Sequence, residues 1–211
     1  MQHIKNIIFD YGNVIFEIDF KKAQSELHQL GIADVEQFFA HSKHNNLFDD
    51  FETATITPDE FRAGIRKAAN NDSITDEKID AAWNSLLIGV PPNIHDVLLK
   101  VKEKYRTFLL SNNNEIHYDY IMNYLKQEHA MESLDHLFEK AYFSQHLFLR
   151  KPNVEIFEQV LKENNLIAEE TLFIDDSPQH IAGAKKAGLN TLLMDENPKY
   201  LGSFLQKHHI I

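Results

Sequence analysis

The chain has 211 residues, 43% apolar and 25% charged, enough for a packed core in one large domain or in a core with a smaller insert. A net charge of −11 argues against nucleic acid or an anionic membrane as the main partner, because phosphate backbones are bound by stripes of Lys and Arg. With no cysteine, no signal-peptide pattern in Met1–Lys5 and no apolar run near the roughly 20 residues of a membrane span, disulfides, thiolate catalysis and Cys-ligated zinc are excluded, and a soluble cytoplasmic protein is expected.

The first apolar run, Ile4–Phe9, reads as a strand buried on both faces, and it delivers Asp10 at its end with Gly12 two residues on. From Glu17 to Val90 no convincing strand follows. That stretch reads as helices around Phe20–Leu30, Val35–His41, Pro58–Asn70 and Asp76–Leu87, with Thr57, Pro58 and Glu60 forming a capping-box start. A crossover needs only about a dozen residues. A helical insertion this long is expected to cap the strand ends and shape a pocket. After Pro91-Pro92, Ile94, Val97, Leu98 and Val101 have helical spacing. Thr107–Leu110 is the second core strand and ends in Ser111-Asn112. Lys140–Phe143 is the third and leads towards Lys151-Pro152, followed by helical spacing at Ile156, Phe157, Val160 and Leu161. Thr171–Ile174 is the fourth and ends in Asp175-Asp176, with Ile181, Ala184 and Ala187 preceding the helix stop Gly188. Thr191–Met194 is the fifth. This alternation predicts an α/β fold with a doubly wound parallel sheet, the core being residues 1–16 and 92–211 and the helical insertion 17–91.

Open α/β sheets bind ligands at the carboxyl ends of their strands, where all these polar groups fall. A lone Asp10 reads most simply as a helix N-cap. Asp175-Asp176 alters that reading, since adjacent acids repel without a cation, and three carboxylates at one sheet edge suit Mg²⁺ with its oxygen ligands. Lys151 suits a phosphate oxygen as a compact point charge, with Arg150 beside it expected at the rim. Ser111, Asn112 and the amides after them can hold phosphate at a helix N-terminus. Together these residues suggest phosphoryl transfer to Asp10, an aspartyl-phosphate intermediate and its hydrolysis by water.

Asp10-x-Gly12-x-Val14, Ser111-Asn112, Lys151-Pro152 and Asp175-Asp176 resemble the four ordered motifs of the haloacid dehalogenase-like hydrolases, nearest the sugar-phosphate phosphatase branch. The insertion falls where that family carries a helical cap. The resemblance spans nearly the whole chain. It implies that Asp10 is nucleophile and metal ligand and that the Gly12 carbonyl is a second ligand. It makes Asp176 the direct carboxylate ligand and Asp175 a close or outer one. Ser111 and Lys151 would bind phosphate, and Asn112 would shape that pocket.

Two departures stand out. Most phosphatases of the family carry a second aspartate, a general acid/base, where this chain has Gly12, and glycine moves no proton. General acid–base help is worth about 10²–10⁴-fold, so a cleft water or an insertion residue such as His44 or Glu52 would have to replace it. The loop before Lys151, His146-Leu147-Phe148-Leu149-Arg150, is bulky where relatives often have glycine. Among the 12 histidines no metal-binding spacing is evident. Phe38, Phe39, Phe48, Phe51, Phe61 and Trp83 read as core of the insertion, with Phe48 and Glu52 expected to face the site. The expected activity is a Mg²⁺-dependent phosphatase acting on a small phosphorylated metabolite. The alternatives are a metal-free 2-haloacid dehalogenase, a phosphomutase and a non-catalytic binding protein of the same fold. Oligomeric state is left open.

Overall fold

The computed structural model describes residues 3–33, 35 and 46–211. In chain order the strands are β1 (Asn6–Phe9), β2 (Glu17–Ile18), β3 (Leu87–Gly89), β4 (Arg106–Ser111), β5 (Lys140–Phe143), β6 (Thr171–Asp175) and β7 (Asn190–Leu193). The described helices are α1 (Phe20–Gln29), α2 (Leu47–Glu52), α3 (Pro58–Ala69), α4 (Asp76–Asn84), α5 (Ile94–Lys102), α6 (Glu115–His129), α7 (Ser144–Leu147), α8 (Val154–Glu163), α9 (Pro178–Lys186) and α10 (Leu201–Lys207). Phe38, Phe39, His44 and most of the helix expected over Val35–His41 lie outside the described residues. No described helix is long and apolar enough to cross a membrane.

Five strands form one parallel sheet in the order β5-β4-β1-β6-β7, the doubly wound topology expected from the alternating pattern. The strand order reverses at β1, and a crevice opens there. Side chains alternate across the sheet. Ile7, Phe9, Leu109 and Ile174 enter one core with Leu98 of α5 and Phe204 of α10. Ile8, Phe108, Leu110 and Phe173 enter the other with Phe157 of α8 and Ile181 of α9. Burial on both faces is why these strands read as unbroken apolar runs.

The insertion has its own core. Phe51 stacks on Phe61 with centroids 4.3 Å apart, and Phe48 stacks on Trp83 at 5.2 Å. The capping box at Thr57 and Glu60 is formed and starts α3. Contrary to the reading of residues 17–90 as strand-free, β2 and β3 pair antiparallel at the two ends of the insertion. Leu87, expected in a helix, is part of this ribbon. Strands of two or three residues carry no readable periodicity, and their pairing depends on the insertion returning to its starting point.

Among the described residues, the contacts of the insertion with the core include those of Trp83, Asn84 and α2. Trp83 stacks on His117 of α6 at 4.6 Å, and Asn84 Oδ1 lies 2.8 Å from His117 Nδ1. Arg150 reaches Asp49 and Glu52 of α2, each at 2.8 Å.

Candidate active site

The parallel register sets the site's geometry. Phe9 lies opposite both Leu109 and Ile174, so Asp10, Leu110 and Asp175 come level one residue further on. Lys151 connects these three. Its Nζ donates to Asp10 Oδ1 at 2.6 Å, to Asp175 Oδ2 at 2.8 Å and to the Leu110 carbonyl at 2.9 Å. Lys151 is fully buried, with its ammonium donated to protein acceptors. In this geometry it orients Asp10 and balances its charge from beneath; direct contact with a phosphate would require one acceptor to be exchanged. Asn112 holds the Lys151 backbone from both sides, Oδ1 accepting from its N–H at 2.9 Å and Nδ2 donating to its carbonyl at 3.0 Å. Ser111 Oγ donates to the Asn112 carbonyl at 3.2 Å.

The two adjacent acids differ in placement. Asp175 is fully buried, and its oxygens accept from Lys151, from Ser177 N–H at 2.8 Å and from His180 Nδ1 at 3.0 Å. Asp176 is half-buried, hydrogen-bonded by the Asn13 side chain, and lines the open cleft with Asp10 and Gly12. Ligand-capable atoms of Asp10, Asp175 and His180 lie within 4.8 Å of one another. Because the Asp175 oxygens already carry three partners, Asp176 is the acid left facing the cleft.

Charge separates these groups further. Burial drives Asp10 well above the ordinary carboxylate range, with Lys151 opposing and Asp175 and Asp176 adding to the rise. Burial also acts to raise Asp175, but Lys151 and His180 outweigh it and hold that acid down. Asp176 is raised by burial and by Asp175. If all three acids were ionised, one ammonium would leave two negative charges uncompensated in a mostly buried place; the raised Asp10 and Asp176 reflect that repulsion, and burial holds His180 towards its neutral form. Oxygen donors with that charge deficit fit a hard divalent cation.

A cleft of about 380 Å³ covers these groups, with Asp10, Gly12 and Asp176 on the core side and Phe48, Glu52 and Trp83 on the insertion side. Phe48 and Glu52 are the two insertion residues singled out in the sequence. Arg150, expected outward or at the rim, lines this cleft. Its side chain is only 18% exposed and its ion pairs tie the bulky loop to α2, so that loop packs on the insertion. His180 has no counterpart in the sequence reading. The signal was Ser177-Pro178, a helix start that puts His180 in the first turn after the acid pair.

The sequence model of one family, described as haloacid dehalogenase-like hydrolase, matches residues 31–194. The chain belongs to the haloacid dehalogenase-like hydrolases. A D-ribitol-5-phosphate phosphatase of Bacteroides thetaiotaomicron is 32% identical over 191 residues, which is 89% of this chain and 90% of the relative. A haloacid dehalogenase-family enzyme of the same organism, solved as a complex with magnesium and inorganic phosphate, superposes with a TM-score of 0.78 at 34% identity, covering 90% of this chain and 93% of that one. A haloacid dehalogenase-like hydrolase of Porphyromonas gingivalis gives 0.83 at 27% identity over 98% of both chains.

Proposed function

We propose that this protein is a Mg²⁺-dependent phosphatase that hydrolyses a small phosphorylated polyol or sugar through a phosphoryl group carried on Asp10. The observation carrying this reading is the excess of acids at the sheet edge, three carboxyl groups gathered around one lysine beneath an open cleft. The similarity to a D-ribitol-5-phosphate phosphatase and to an enzyme solved with magnesium and phosphate supports it.

In this reading Asp10, Asp176 and the Gly12 carbonyl hold the cation, with Asp175 in an outer position. When bound, Mg²⁺ offsets the carboxylates' charge and draws electron density from the phosphoryl oxygens. Asp10, aimed by Lys151, attacks phosphorus in line. The ester P–O bond breaks as the Asp10 Oδ–P bond forms, and the leaving alkoxide takes its proton from cleft water, since Gly12 supplies none. A second water then attacks phosphorus, restoring Asp10 and releasing inorganic phosphate. Ser111 and the N-terminal turn of α6 face the phosphate. Residues 17–91 act as a cap over a core of 1–16 and 92–211, limiting water and selecting the leaving group.

The test is phosphate release from a panel of phosphorylated metabolites. Activity is expected with Mg²⁺, lost with EDTA and restored by added Mg²⁺. The Asp10→Asn protein should melt normally and release no phosphate above the enzyme-free rate. Full activity in Asp10→Asn, or no release from any ester by the native enzyme, would sink the reading.

A further inference from the structure

Beside the Asp10 cleft lies a second, smaller cavity of about 110 Å³. The two share Gly12, Ile18, Ser111 and Asn112 on the core side and Phe20, Glu52 and Trp83 on the insertion side. Beyond that junction the wall of the inner cavity is largely apolar, from Phe16, Leu86, Leu87 and Ile121. Its volume is several times the roughly 15 Å³ that admits one water, so it has room for a short chain.

Four polar side chains interrupt this apolar lining, and two of them are paired: Asn114 Oδ1 accepts from Trp83 Nε1 and from His117 N–H, and His117 Nδ1 lies 2.8 Å from Asn84 Oδ1. The other two are Tyr11 and Asn113. Tyr11 is 2% exposed and Asn113 is 4% exposed. The Tyr11 hydroxyl and Asn113 Nδ2 are buried with no hydrogen-bond partner among the described residues. The Tyr11 phenol carries an O–H that can donate. The other end of the Asn113 amide is occupied, its Oδ1 accepting from Asn114 N–H at 2.8 Å. Buried polar groups are nearly always paired, and an unpaired one is costly. Tyr11 and Asn113 both line the chamber, and unpaired donors on the wall of a largely apolar cavity that opens onto a binding cleft are suited to recognising hydroxyl oxygens.

Resting on the phosphatase reading above, we infer that this cavity is a subsite for the hydroxylated carbon tail of the substrate, whose oxygens accept from Tyr11 and Asn113. The phosphate sits over Asp10 and the chain passes Gly12 into the chamber. This favours linear polyol phosphates and open-chain sugar phosphates over esters of bare aromatic or aliphatic alcohols. Gly12 then has a purpose beyond its carbonyl. A Cβ there would lie 3.1 Å from Ile18 Cδ1, at the junction of the two cavities, so glycine keeps the passage open.

The test compares linear polyol phosphates, ribitol 5-phosphate among them, with p-nitrophenyl phosphate, which has no hydroxylated tail. Tyr11→Phe removes only the hydroxyl. The ratio of kcat/KM for the polyol ester over the phenyl ester should fall about three- to tenfold, as for loss of one neutral hydrogen bond. The melting temperature should hold or rise, because no native hydrogen bond is lost. Ile121→Phe, which fills the chamber from α6, should lower the same ratio. A role confined to folding would instead lower the rates on both esters together and the melting temperature with them, and would overturn the inference. So would an unchanged ratio in Tyr11→Phe, or a native enzyme that hydrolyses only the phenyl ester. Hydrolysis of neither ester would mean that the phosphatase reading itself had failed.

Discussion

Gly12 faces Ile18 across the cleft junction, and that neighbour decides what a side chain there would do. Its backbone is not in the left-handed region, and the atom a Cβ would meet is the mobile tip of an isoleucine. Gly12→Asp should therefore fold, with a melting temperature near that of the native protein, and should still bind Mg²⁺. It should not raise kcat on the native substrate, because the new carboxyl group stands in the passage to the inner cavity and adds a fourth acid to a site that already holds three. A large rise in kcat would show the passage to be unimportant. Lys151 makes a related point. Its type and its position before Pro152 suggest a phosphate ligand, but its depth beneath Asp10 and Asp175 makes it first a device for aiming the nucleophile.

The Lys151-Pro152 segment is held there by the fit between a loop and a helix. Gly183 of α9 is buried against Pro152, and a Cβ on Gly183 would overlap the Pro152 carbonyl. The obstacle is backbone, which cannot rotate away. Gly183→Ala should thus cost about 1–3 kcal/mol, as overpacking does. It should also lower kcat by displacing Lys151 from Asp10. Urea unfolding and steady-state kinetics would check both, and a variant with native stability and kcat would refute the argument. The strands illustrate the opposite case. Ile7, Ile8 and Phe9 are all fully buried, so β1 is legible from its own apolar run. β2 and β3 are not, because their pairing joins residues some 70 positions apart, Glu17 with Gly89.

The insertion and the core are joined around a buried histidine. His117 lies under Trp83 and Asn84, and burial pushes it down to about 3. The unfolded chain takes up a proton near pH 6.5 while the folded protein stays neutral until about 3. Between those values the unfolded state holds one more proton, so stability is complete above pH 6.5 and declines as the pH falls. For one proton the slope is about 1.4 kcal/mol per pH unit. His117→Gln, which can keep a hydrogen bond to Asn84, should remove that much of the slope between pH 6 and pH 4 in urea titrations at stepped pH. An unchanged slope would mean that His117 is protonated in the folded protein.

Asp10, Ser111, Asp175 and Asp176 can be found without coordinates because each closes or follows a run buried on both faces, a pattern written in consecutive residues. The parallel order and the position of the catalytic edge follow from the strand–helix alternation. What surrounds that edge does not. His180 lies near Asp175 through a helix start, and Arg150 meets α2 almost a hundred residues away in the chain. Tyr11 and Asn113 come from different strand ends and share a wall only because β1 and β4 are neighbours. Local apolar pattern was enough to determine the sheet and the acids at its edge. The partners that aim those acids, and the cavity that would select a substrate, were decided by tertiary packing, because they depend on distances between segments that no local pattern encodes.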